Sequence, residues 1–240
     1  MILAAGLGTR LRPLTNDRPK ALVELNGTSL LEHNLKRLAS FGIQEFFINV
    51  HHFADKVEDY LKSNDNFGLK INISDERDML LETGGGLKKV FHEHKLSEPL
   101  LVYNTDIITD LDIGQFIEQH LNSGADASLS VKNRKSSRYL LFDSSMQLGG
   151  WKHEEKDIFR WRKEELNDYK KLAFSGIHII GPTFSNKFQK EDKFSVIETY
   201  LNNNDLNING IEHHSVRFID AGKHETLQAA GELMRQTKTS

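Results

Sequence analysis

The chain has 240 residues, enough for one large α/β domain or two small ones, and its 38% hydrophobic and 27% charged residues are typical of a folded globular protein. The net charge of −3 argues against a surface that clamps nucleic acid throughout, and the lack of cysteine excludes disulfides, thiolate nucleophiles, iron–sulfur clusters and the usual structural zinc sites. No apolar run reaches the roughly 18 residues of a membrane span, and the first residues lack the basic flank of a signal peptide. We therefore expect a cytoplasmic protein with no membrane or nucleic-acid partner.

Strands and helices alternate through the first 130 residues. In chain order, the sequence predicts a strand over 1–5, a helix over 29–41, a strand over 44–50, a helix over 53–62, a strand over 69–73, a helix from a glycine cluster at 84–86 to about 94, a strand over 99–103, a helix from about 113 and a strand over 127–131. This alternation predicts an α/β fold with a Rossmann-like, mainly parallel sheet and helices on both faces.

The second half of the chain is less regular. It predicts strands over 139–142, 147–151, 173–180 and 216–219, and helices over 194–201 and 224–235. The charged stretch 152–171 predicts a solvated loop. The basic run 132–138 predicts a solvated hairpin, with a contact to the acceptor phosphate as the alternative. Because no segment has the composition of a linker, we expect a single domain over 1–240 with an elaborated C-terminal half.

A glycine-rich loop follows the first strand. Gly6 and Gly8 let the backbone turn sharply and expose N–H groups that can cradle phosphate oxygens. Four cations lie between Arg10 and Lys20, with a single acid among them. In a net-negative protein such a cluster favours a polyanion site over a loop of solvated arginines, and a triphosphate is the natural ligand.

Other nucleotide-binding and catalytic motifs are absent. Leu11 stands where a dinucleotide fingerprint requires its third glycine, which argues against a nicotinamide-dependent oxidoreductase. The Gly-Lys-Ser/Thr of a P-loop and the Gly-x-Ser-x-Gly of a hydrolase elbow do not occur. The eleven histidines show no spacing typical of a metal site.

Two aspartates follow predicted strands directly. Asp106 comes after the strand over 99–103 and Asp220 after the strand over 216–219, at the carboxyl ends where open α/β sheets bind ligands. Either one alone is more often a turn or capping residue. Together with the cationic loop they favour a Mg²⁺ site, because Mg²⁺ binds one or two carboxylates and keeps substrate phosphates and waters.

Three glycines, Gly84–Gly86, open a predicted helix, although each costs about 1 kcal/mol relative to alanine there. Close approach of a flat ligand to the backbone would justify them. A close contact between the helix and the sheet is the alternative explanation.

These segments resemble the motifs of the sugar-1-phosphate nucleotidyltransferases. Residues 3–15 with Pro19-Lys20 match that family's signature almost letter for letter, residues 102–106 are similar to its Asn-Gly-Asp, 218–222 to its aromatic-x-Asp-x-Gly, and 82–87 to its base-binding segment. The triple-glycine version, with residues 173–177, resembles N-acetylmuramate 1-phosphate uridylyltransferases most. Mannose- and heptose-1-phosphate guanylyltransferases share much of the pattern.

The resemblance implies a Mg²⁺-dependent transferase with a nucleotide-binding half over 1–130 and a sugar-phosphate-binding half over 131–240. It implies an NTP and a sugar 1-phosphate as partners, UTP and N-acetylmuramate 1-phosphate or a related sugar being the first expectation. The implied roles are nucleotide binding for Leu3, Ala4, Ala5, Gly6, Gly8, Thr9, Arg10, Lys20 and Gly85, substrate binding for Asn104 and Gly176, catalysis for Arg10, Lys20 and Asp106, and metal binding for Asp106 and Asp220.

Thr105 departs from the pattern, because the family usually has glycine there. A side chain at this position would crowd the sugar phosphate, so a catalytically weakened, regulatory homologue that binds a nucleotide sugar is an alternative. A guanylyltransferase acting on mannose or heptose 1-phosphate is another. The sequence fixes neither the base, nor the sugar, nor the oligomeric state.

Overall fold

The computed structural model describes residues 1–237. Within them the strands are β1 Ile2–Leu3, β2 Glu24–Leu25, β3 Thr28–Ser29, β4 Glu45–Val50, β5 Lys70–Asp75, β6 Leu100–Asn104, β7 Ile107–Thr109, β8 Ala127–Lys132, β9 Arg138–Phe142, β10 Leu148–His153, β11 Ile158–Trp161, β12 Lys170–Ile180, β13 Ile208–Glu212 and β14 Phe218–Asp220. The α-helices are α1 Leu30–Ser40, α2 Ala54–Ser63, α3 Glu82–His94, α4 Ile113–Ser123, α5 Val196–Asn202 and α6 Leu227–Thr237.

The chain divides into two compact units, which interleave along the sequence. The first contains Met1–Leu80, Tyr103–Gln115 and the described residues from Val216 on, and the second contains Leu81–Val102 and Phe116–Ser215. The single domain over 1–240, with functional halves that meet at residue 130, stays a prediction.

Parallel strands form the sheet of the first unit. β1 pairs in parallel with β4 and with the last two residues of β6, and β4 pairs in parallel with β5. Five of the six residues of β4 are buried, as expected for a strand covered on both faces. The predicted α/β class with parallel strands and flanking helices is confirmed.

Helix α1 of this unit begins at a side-chain cap. Ser29 Oγ accepts a hydrogen bond from the Glu32 N–H at 3.0 Å, which satisfies one of the free donors of the first turn. Its buried face carries the predicted leucines, but it also buries Asn34, which is 0% exposed. A polar side chain on an apolar face needs a partner, and that partner lies at the site described below.

A core cluster anchors the rest of the first unit. Short strand β7 and helix α6 pack together around buried apolar side chains, namely Leu11, Val23, Leu30, Ile108, Ala221, Ala230, Leu233 and Met234. Burial of apolar surface contributes about 25 cal/mol per Å² to stability. This cluster therefore holds the glycine-rich loop and the segment 218–222 in fixed positions.

The second unit is mainly antiparallel. β12 pairs antiparallel with β8 on one side and β9 on the other, β9 pairs with β10 and β10 with β11, while β13 joins β8 in parallel. This is the elaborated C-terminal half that the sequence predicts. The predicted hairpin over 132–138 is wrong, because β12 lies between the two strands that this segment connects.

The predicted solvated loop over 152–171 is also wrong. β11 forms within it and pairs with β10, with Lys152 opposite Phe159. Phe159 and Trp161 project from the same face of β11 and stack with their rings 5.6 Å apart, and Tyr169 packs edge-on against Trp161. The alternating aromatic residues Phe159 and Trp161 are typical of a strand. The sequence analysis gave more weight to the charged residues around them.

Further differences concern short strands. The sequence analysis missed β2, β3, β7 and β13. The last strand of the chain is shifted, so that Asp220 is the final residue of β14 instead of following it. None of the helices in the described part of the chain is long and apolar enough to cross a membrane.

Candidate active site

The candidate site of the first unit begins with two aspartates that β7 and β14 bring side by side. Asp106 occupies the turn between β6 and β7, and β7 pairs antiparallel with β14 in a register that sets Ile107 opposite Asp220. The Ala221 N–H donates to the Asp106 carbonyl at 2.8 Å. Strand pairing over three residues therefore joins two segments more than 100 positions apart in sequence.

Three charged side chains converge on Gly222. A Cβ added to this glycine would lie 2.7 Å from Asp220 Oδ1, 2.9 Å from Asp106 Oδ2 and 3.1 Å from Arg10 Nη2. Any side chain at this position would push these groups apart. Glycine is thus required by the site itself, a role that the sequence motif suggests but does not explain.

Lys20 is the buried counter-charge of Asp106. Its Nζ lies 2.6 Å from Asp106 Oδ2, with the two side chains only 15% and 11% exposed. Burial works to raise the pKa of Asp106, but the charge and hydrogen bond of Lys20 outweigh it and hold the pKa below its ordinary value. Asp106 is therefore an anion at neutral pH.

Arg10 faces Asp220 more loosely. Its Nη1 lies 3.6 Å from Asp220 Oδ2, and the side chains are 57% and 37% exposed. An exposed pair at this distance contributes little to stability, so Arg10 is available to a ligand anion. Arg18 stands apart from both, because it pairs with its neighbour Asp17 at 3.1 Å.

The glycine-rich loop is shaped around Lys20. Gly8 has φ +64°, and a Cβ there would lie 3.0 Å from Lys20 Cβ and 3.1 Å from Thr15 Cγ2. Thr15 Oγ1 donates to the Gly8 carbonyl at 2.9 Å, and the chain then forms a 3₁₀ turn over Thr9–Leu11. Gly6 is less restricted, since a Cβ there would approach only Lys20, at 3.9 Å.

A buried amide chain supports the start of this loop. The Ala4 N–H donates to Asn49 Oδ1 at 2.7 Å, and Asn49 Nδ2 donates to Glu76 Oε1 at 2.8 Å. All three residues are buried, as is Ala5, while Leu3 is half-buried at the end of β1. The sequence analysis missed Asn49, near the end of β4, and Glu76, directly after β5. Neither residue belongs to one of the motifs described above.

Thr105 lies inside the protein. It is 2% exposed, its N–H donates to the Leu3 carbonyl at 3.2 Å, and its carbonyl accepts from Asn34 Nδ2 at 2.8 Å. Asn104 precedes it as the last, half-buried residue of β6. Crowding of a substrate requires an exposed side chain, so the burial of Thr105 removes the physical basis for that expectation.

The two predicted glycines of the second unit have their own packing reasons. A Cβ on Gly85 would lie 1.9 Å from the Asp192 carbonyl oxygen, and the Gly84 N–H donates to the Phe194 carbonyl at 2.9 Å. Gly176 has φ +77° and lies where the pairing of β12 with β8 shifts register. Close backbone packing therefore accounts for Gly85 without any ligand.

The residues at the first site fit a magnesium ion. Asp106 and Asp220 supply hard carboxylate oxygens on adjacent segments, and Gly222 leaves the space in front of them free of a side chain. Within residues 1–237 no group of three or more His, Asp or Glu side chains is arranged to hold a metal. Two carboxylates match an ion that takes its remaining ligands from substrate and water.

Comparisons with known proteins agree with this geometry. Residues 1–140 match the nucleotidyl transferase family. The chain is 40% identical over 192 residues to the N-acetylmuramate alpha-1-phosphate uridylyltransferase of Caulobacter vibrioides, which covers 76% of this chain and 74% of that protein. It is 28% identical over 191 residues to the mannose-1-phosphate guanylyltransferase catalytic subunit beta of Dictyostelium discoideum, covering 79% of this chain and 51% of that protein, so it spans about half of the latter's length.

A solved structure shares the fold. HddC from Yersinia pseudotuberculosis, determined in complex with GMP-PN, superposes with a TM-score of 0.76 over 96% of each chain at 24% identity. At this identity the likeness concerns the fold alone.

Proposed function

Since this chain belongs to the nucleotidyl transferase family, we propose that it transfers a nucleoside monophosphate from an NTP to a sugar 1-phosphate and releases pyrophosphate. The observation that carries the proposal is the convergence of Arg10, Asp106 and Asp220 around Gly222, with Lys20 on Asp106. The 40% identity to the Caulobacter protein supports UTP and N-acetylmuramate 1-phosphate, or a related sugar, as the substrates.

The reaction needs positioning more than acid–base catalysis. An oxygen of the sugar phosphate attacks the α-phosphorus, the bond from that phosphorus to the bridging oxygen breaks, and pyrophosphate leaves with the bonding electrons. Because a phosphate monoester has a second pKa of about 6, the nucleophile is ionised at neutral pH and no general base is required. The site can therefore work by orienting two anions and neutralising their charge.

The cations divide this work. Arg10 is exposed and forked, which suits the leaving pyrophosphate. Lys20 is nearly buried on Asp106, and we assign it the α-phosphate, where a fixed charge stabilises the transition state. Both assignments are supported by exposure, because Arg10 is accessible to a leaving product whereas Lys20 is held against Asp106.

Asp106 and Asp220 would hold Mg²⁺. Once bound, the ion supplies Lewis-acid neutralisation of phosphate oxygens. The chain's own part is to keep the Asp106 carboxylate ionised, which Lys20 does, and to keep the two carboxylates adjacent, which the β7–β14 pairing does.

The remaining assignments rest on backbone chemistry. We propose that Leu3, Ala4, Ala5, Gly6, Gly8 and Thr9 line the nucleotide through main-chain groups, that Gly85 contributes to nucleotide binding, and that Asn104 and Gly176 contact the sugar phosphate. The positive φ of Gly8 supports the first assignment, because it turns successive N–H groups outward. The charged substrates suit a cytoplasmic reaction in cell-wall or polysaccharide synthesis.

A guanylyltransferase acting on mannose or heptose 1-phosphate is the second candidate. It is supported by the 28% identity to the Dictyostelium subunit and by the GMP-PN complex of the HddC fold relative. The weakened, regulatory homologue has less support, because Thr105 is buried and the four charged residues of the site are present.

Pyrophosphate release tests the proposal. The purified protein with Mg²⁺ is assayed with each of four NTPs against N-acetylmuramate, mannose, heptose and glucose 1-phosphates. We expect one NTP and one sugar to dominate, and Asp106→Asn and Asp220→Asn each to lower kcat by at least about 100-fold, as does the loss of one electrostatic group from other active sites. Release that needs no sugar phosphate, or full activity of both variants, would contradict the proposal.

A further inference from the structure

Asn34 is a buried amide in direct contact with the turn that carries Asp106. It lies on α1 at 0% exposure, and its Nδ2 donates to the Thr105 carbonyl at 2.8 Å. The rest of the buried face of the helix consists mainly of leucines. We propose that Asn34 is a positioning residue for the Asp106 carboxylate and that Thr105 is its partner, an inference that rests on the proposed function.

Three hydrogen bonds hold this turn from three directions. The Thr105 N–H donates to Leu3 of β1, the Thr105 carbonyl accepts from Asn34, and the Asp106 carbonyl accepts from Ala221. Two of these bonds join backbone to backbone, whereas Asn34 contributes a side chain. Asn34 is therefore the member of the set that a substitution can remove without changing the backbone.

Only one pair of atoms joins the two residues. Within the described chain, Asn34 Oδ1 and Thr105 Oγ1 are both buried and have no hydrogen-bond partner, so the two side-chain oxygens are not bonded to each other. The contact is made by Asn34 Nδ2 and the Thr105 backbone carbonyl. The proposed positioning therefore acts on the backbone of the turn and not through the Thr105 hydroxyl.

The hydrogen bond between Asn34 and Thr105 acts on the orientation of the Asp106 carboxylate. The Asp106 carboxylate is already fixed on one side by Lys20 at 2.6 Å, and the backbone turn sets the direction from which it approaches Gly222. Small displacements matter in such a site, since a shift of about 1 Å can change a rate by about 100-fold. Loss of the Asn34 bond should therefore lower turnover and metal affinity more than nucleotide affinity.

The test compares Asn34→Leu with Leu31→Ala. Leucine has the same branched arrangement of heavy atoms as asparagine but no hydrogen-bonding groups, and Leu31 is a fully buried residue of the same helix. For Asn34→Leu we expect kcat to fall by about 30-fold, within the range for misplaced groups, the NTP KM to stay near wild type, and Mn²⁺ affinity measured by electron paramagnetic resonance to weaken. Leu31→Ala should lower stability while leaving kcat and Mn²⁺ affinity per folded molecule unchanged.

Thr105 gives a second, gentler test. Thr105→Val removes the hydroxyl but keeps the shape and the carbonyl, and Thr105→Ser keeps the hydroxyl. Because the hydroxyl makes no hydrogen bond and the bonded carbonyl remains, we expect both variants to keep kcat and Mn²⁺ affinity near wild type. If Asn34→Leu does not fold, Asn34→Ala removes the same donor, and the same fall in kcat and Mn²⁺ affinity is expected.

The outcomes separate the two proposals. Wild-type kcat and Mn²⁺ affinity in Asn34→Leu, or losses in Thr105→Val as large as those in Asn34→Leu, would overturn the positioning role. If the wild-type protein releases no pyrophosphate with any substrate pair, the proposed function fails, while the Mn²⁺ affinities of the same variants still decide whether Asn34 positions Asp106.

Discussion

At the scale of single residues, the ion pair of Lys20 and Asp106 combines two opposing effects. Burial alone would raise the pKa of Asp106, and Lys20 reverses the direction. With the pKa lowered, the pair stabilises the protein above the unfolded pKa of about 3.9, and this stabilisation is lost as the pH falls below it. The Asp106 carboxylate is therefore ionised, and able to bind a cation, only while Lys20 is present.

Lys20→Met reverses this pH dependence. Without the ammonium group, burial raises the pKa of Asp106, so the variant should lose stability as the pH rises from 4 to 8. We expect its free energy of unfolding in urea at pH 8, with metal removed by chelation, to be lower than that of the wild type by about 3 kcal/mol, the cost of an uncompensated buried charge. The difference should shrink toward pH 4.

Lys36→Met is the matched control. Lys36 also pairs with a carboxylate, Glu32 at 2.7 Å, but it is 59% exposed, and such i,i+4 pairs contribute about 0.5 kcal/mol or less. An equal loss in both variants at pH 8, or a Lys20→Met deficit that does not vary with pH, would count against the account of Asp106.

His178 provides a residue-scale prediction in the second unit. Burial lowers its pKa to about 3, and its Nδ1 accepts a hydrogen bond from the Tyr200 hydroxyl at 2.7 Å. In the unfolded chain, His178 binds a proton with a pKa of about 6.5. In the native state its imidazole stays neutral until the pH approaches 3. Stability is therefore lost as the pH falls from 6.5 toward 3.

His178→Asn removes this titration while keeping an acceptor for Tyr200. Between pH 7 and pH 5 we expect the wild type to lose about 2 kcal/mol more unfolding free energy than the variant, which is about 1.4 kcal/mol per pH unit below 6.5. Urea titrations at the two pH values measure the difference, and all other groups cancel in the comparison. Equal losses would show that His178 is protonated in the folded protein.

At the scale of elements, α3 shows a conflict between helix propensity and packing. Propensity alone favours Gly85→Ala by about 1 kcal/mol, but the added Cβ would lie 1.9 Å from the Asp192 carbonyl oxygen. We expect packing to dominate and urea unfolding to show a loss of about 2 kcal/mol, typical of overpacking.

Gly114→Ala serves as the comparison, because Gly114 is the second residue of α4 and the nearest neighbour of the added Cβ would be the end of the Asp112 side chain at 3.3 Å. This substitution should change stability by less than about 1 kcal/mol. A neutral Gly85→Ala would mean that segment 192–194 can move away from α3, and the close-packing explanation for the glycines would fail.

Two of the strands that the sequence did not predict, β7 and β13, are created by pairing distant segments. β7 is only three residues long and β13 contains Gly210 and Asn209, so neither has a local strand signal; each forms because it adds to a strand distant in sequence, β14 and β8 respectively. The sequence analysis did not identify Asn34, for a related reason. A helical stripe is read from its apolar members, and a buried polar residue within it becomes visible only when its partner is known.

At the scale of the whole molecule, the net charge of −3 is an average over opposing local charges. The motifs predicted which charged residues matter, since Asp106, Asp220, Arg10 and Lys20 were all named from sequence. They did not predict that Lys20 would already be bound to Asp106 at 2.6 Å. A motif identifies residue types along the chain, whereas their mutual distances depend on the β7–β14 register.

Nucleotide binding should stabilise the folded molecule as a whole. A ligand at 100 times its Kd adds about 2.7 kcal/mol to the free energy of unfolding, and for a chain of this size that corresponds to a rise in Tm of about 5–10 °C. We expect UTP with Mg²⁺ to produce such a rise in a fluorescence melt and GTP to produce a much smaller one. The reverse order would favour the guanylyltransferase alternative.

Gly8→Ala should abolish that rise, and Gly124→Ala should not. Both glycines have positive φ, +64° and +62°, so alanine strains the backbone equally at the two positions, by about 1–2 kcal/mol. Only at Gly8 does the new Cβ also press on Lys20 and Thr15, while at Gly124 it meets nothing within 4 Å. If both variants carry the same backbone strain but only Gly8→Ala loses the UTP response, the loop recognises the nucleotide through its shape. If both variants respond like the wild type, the loop does not bind the triphosphate.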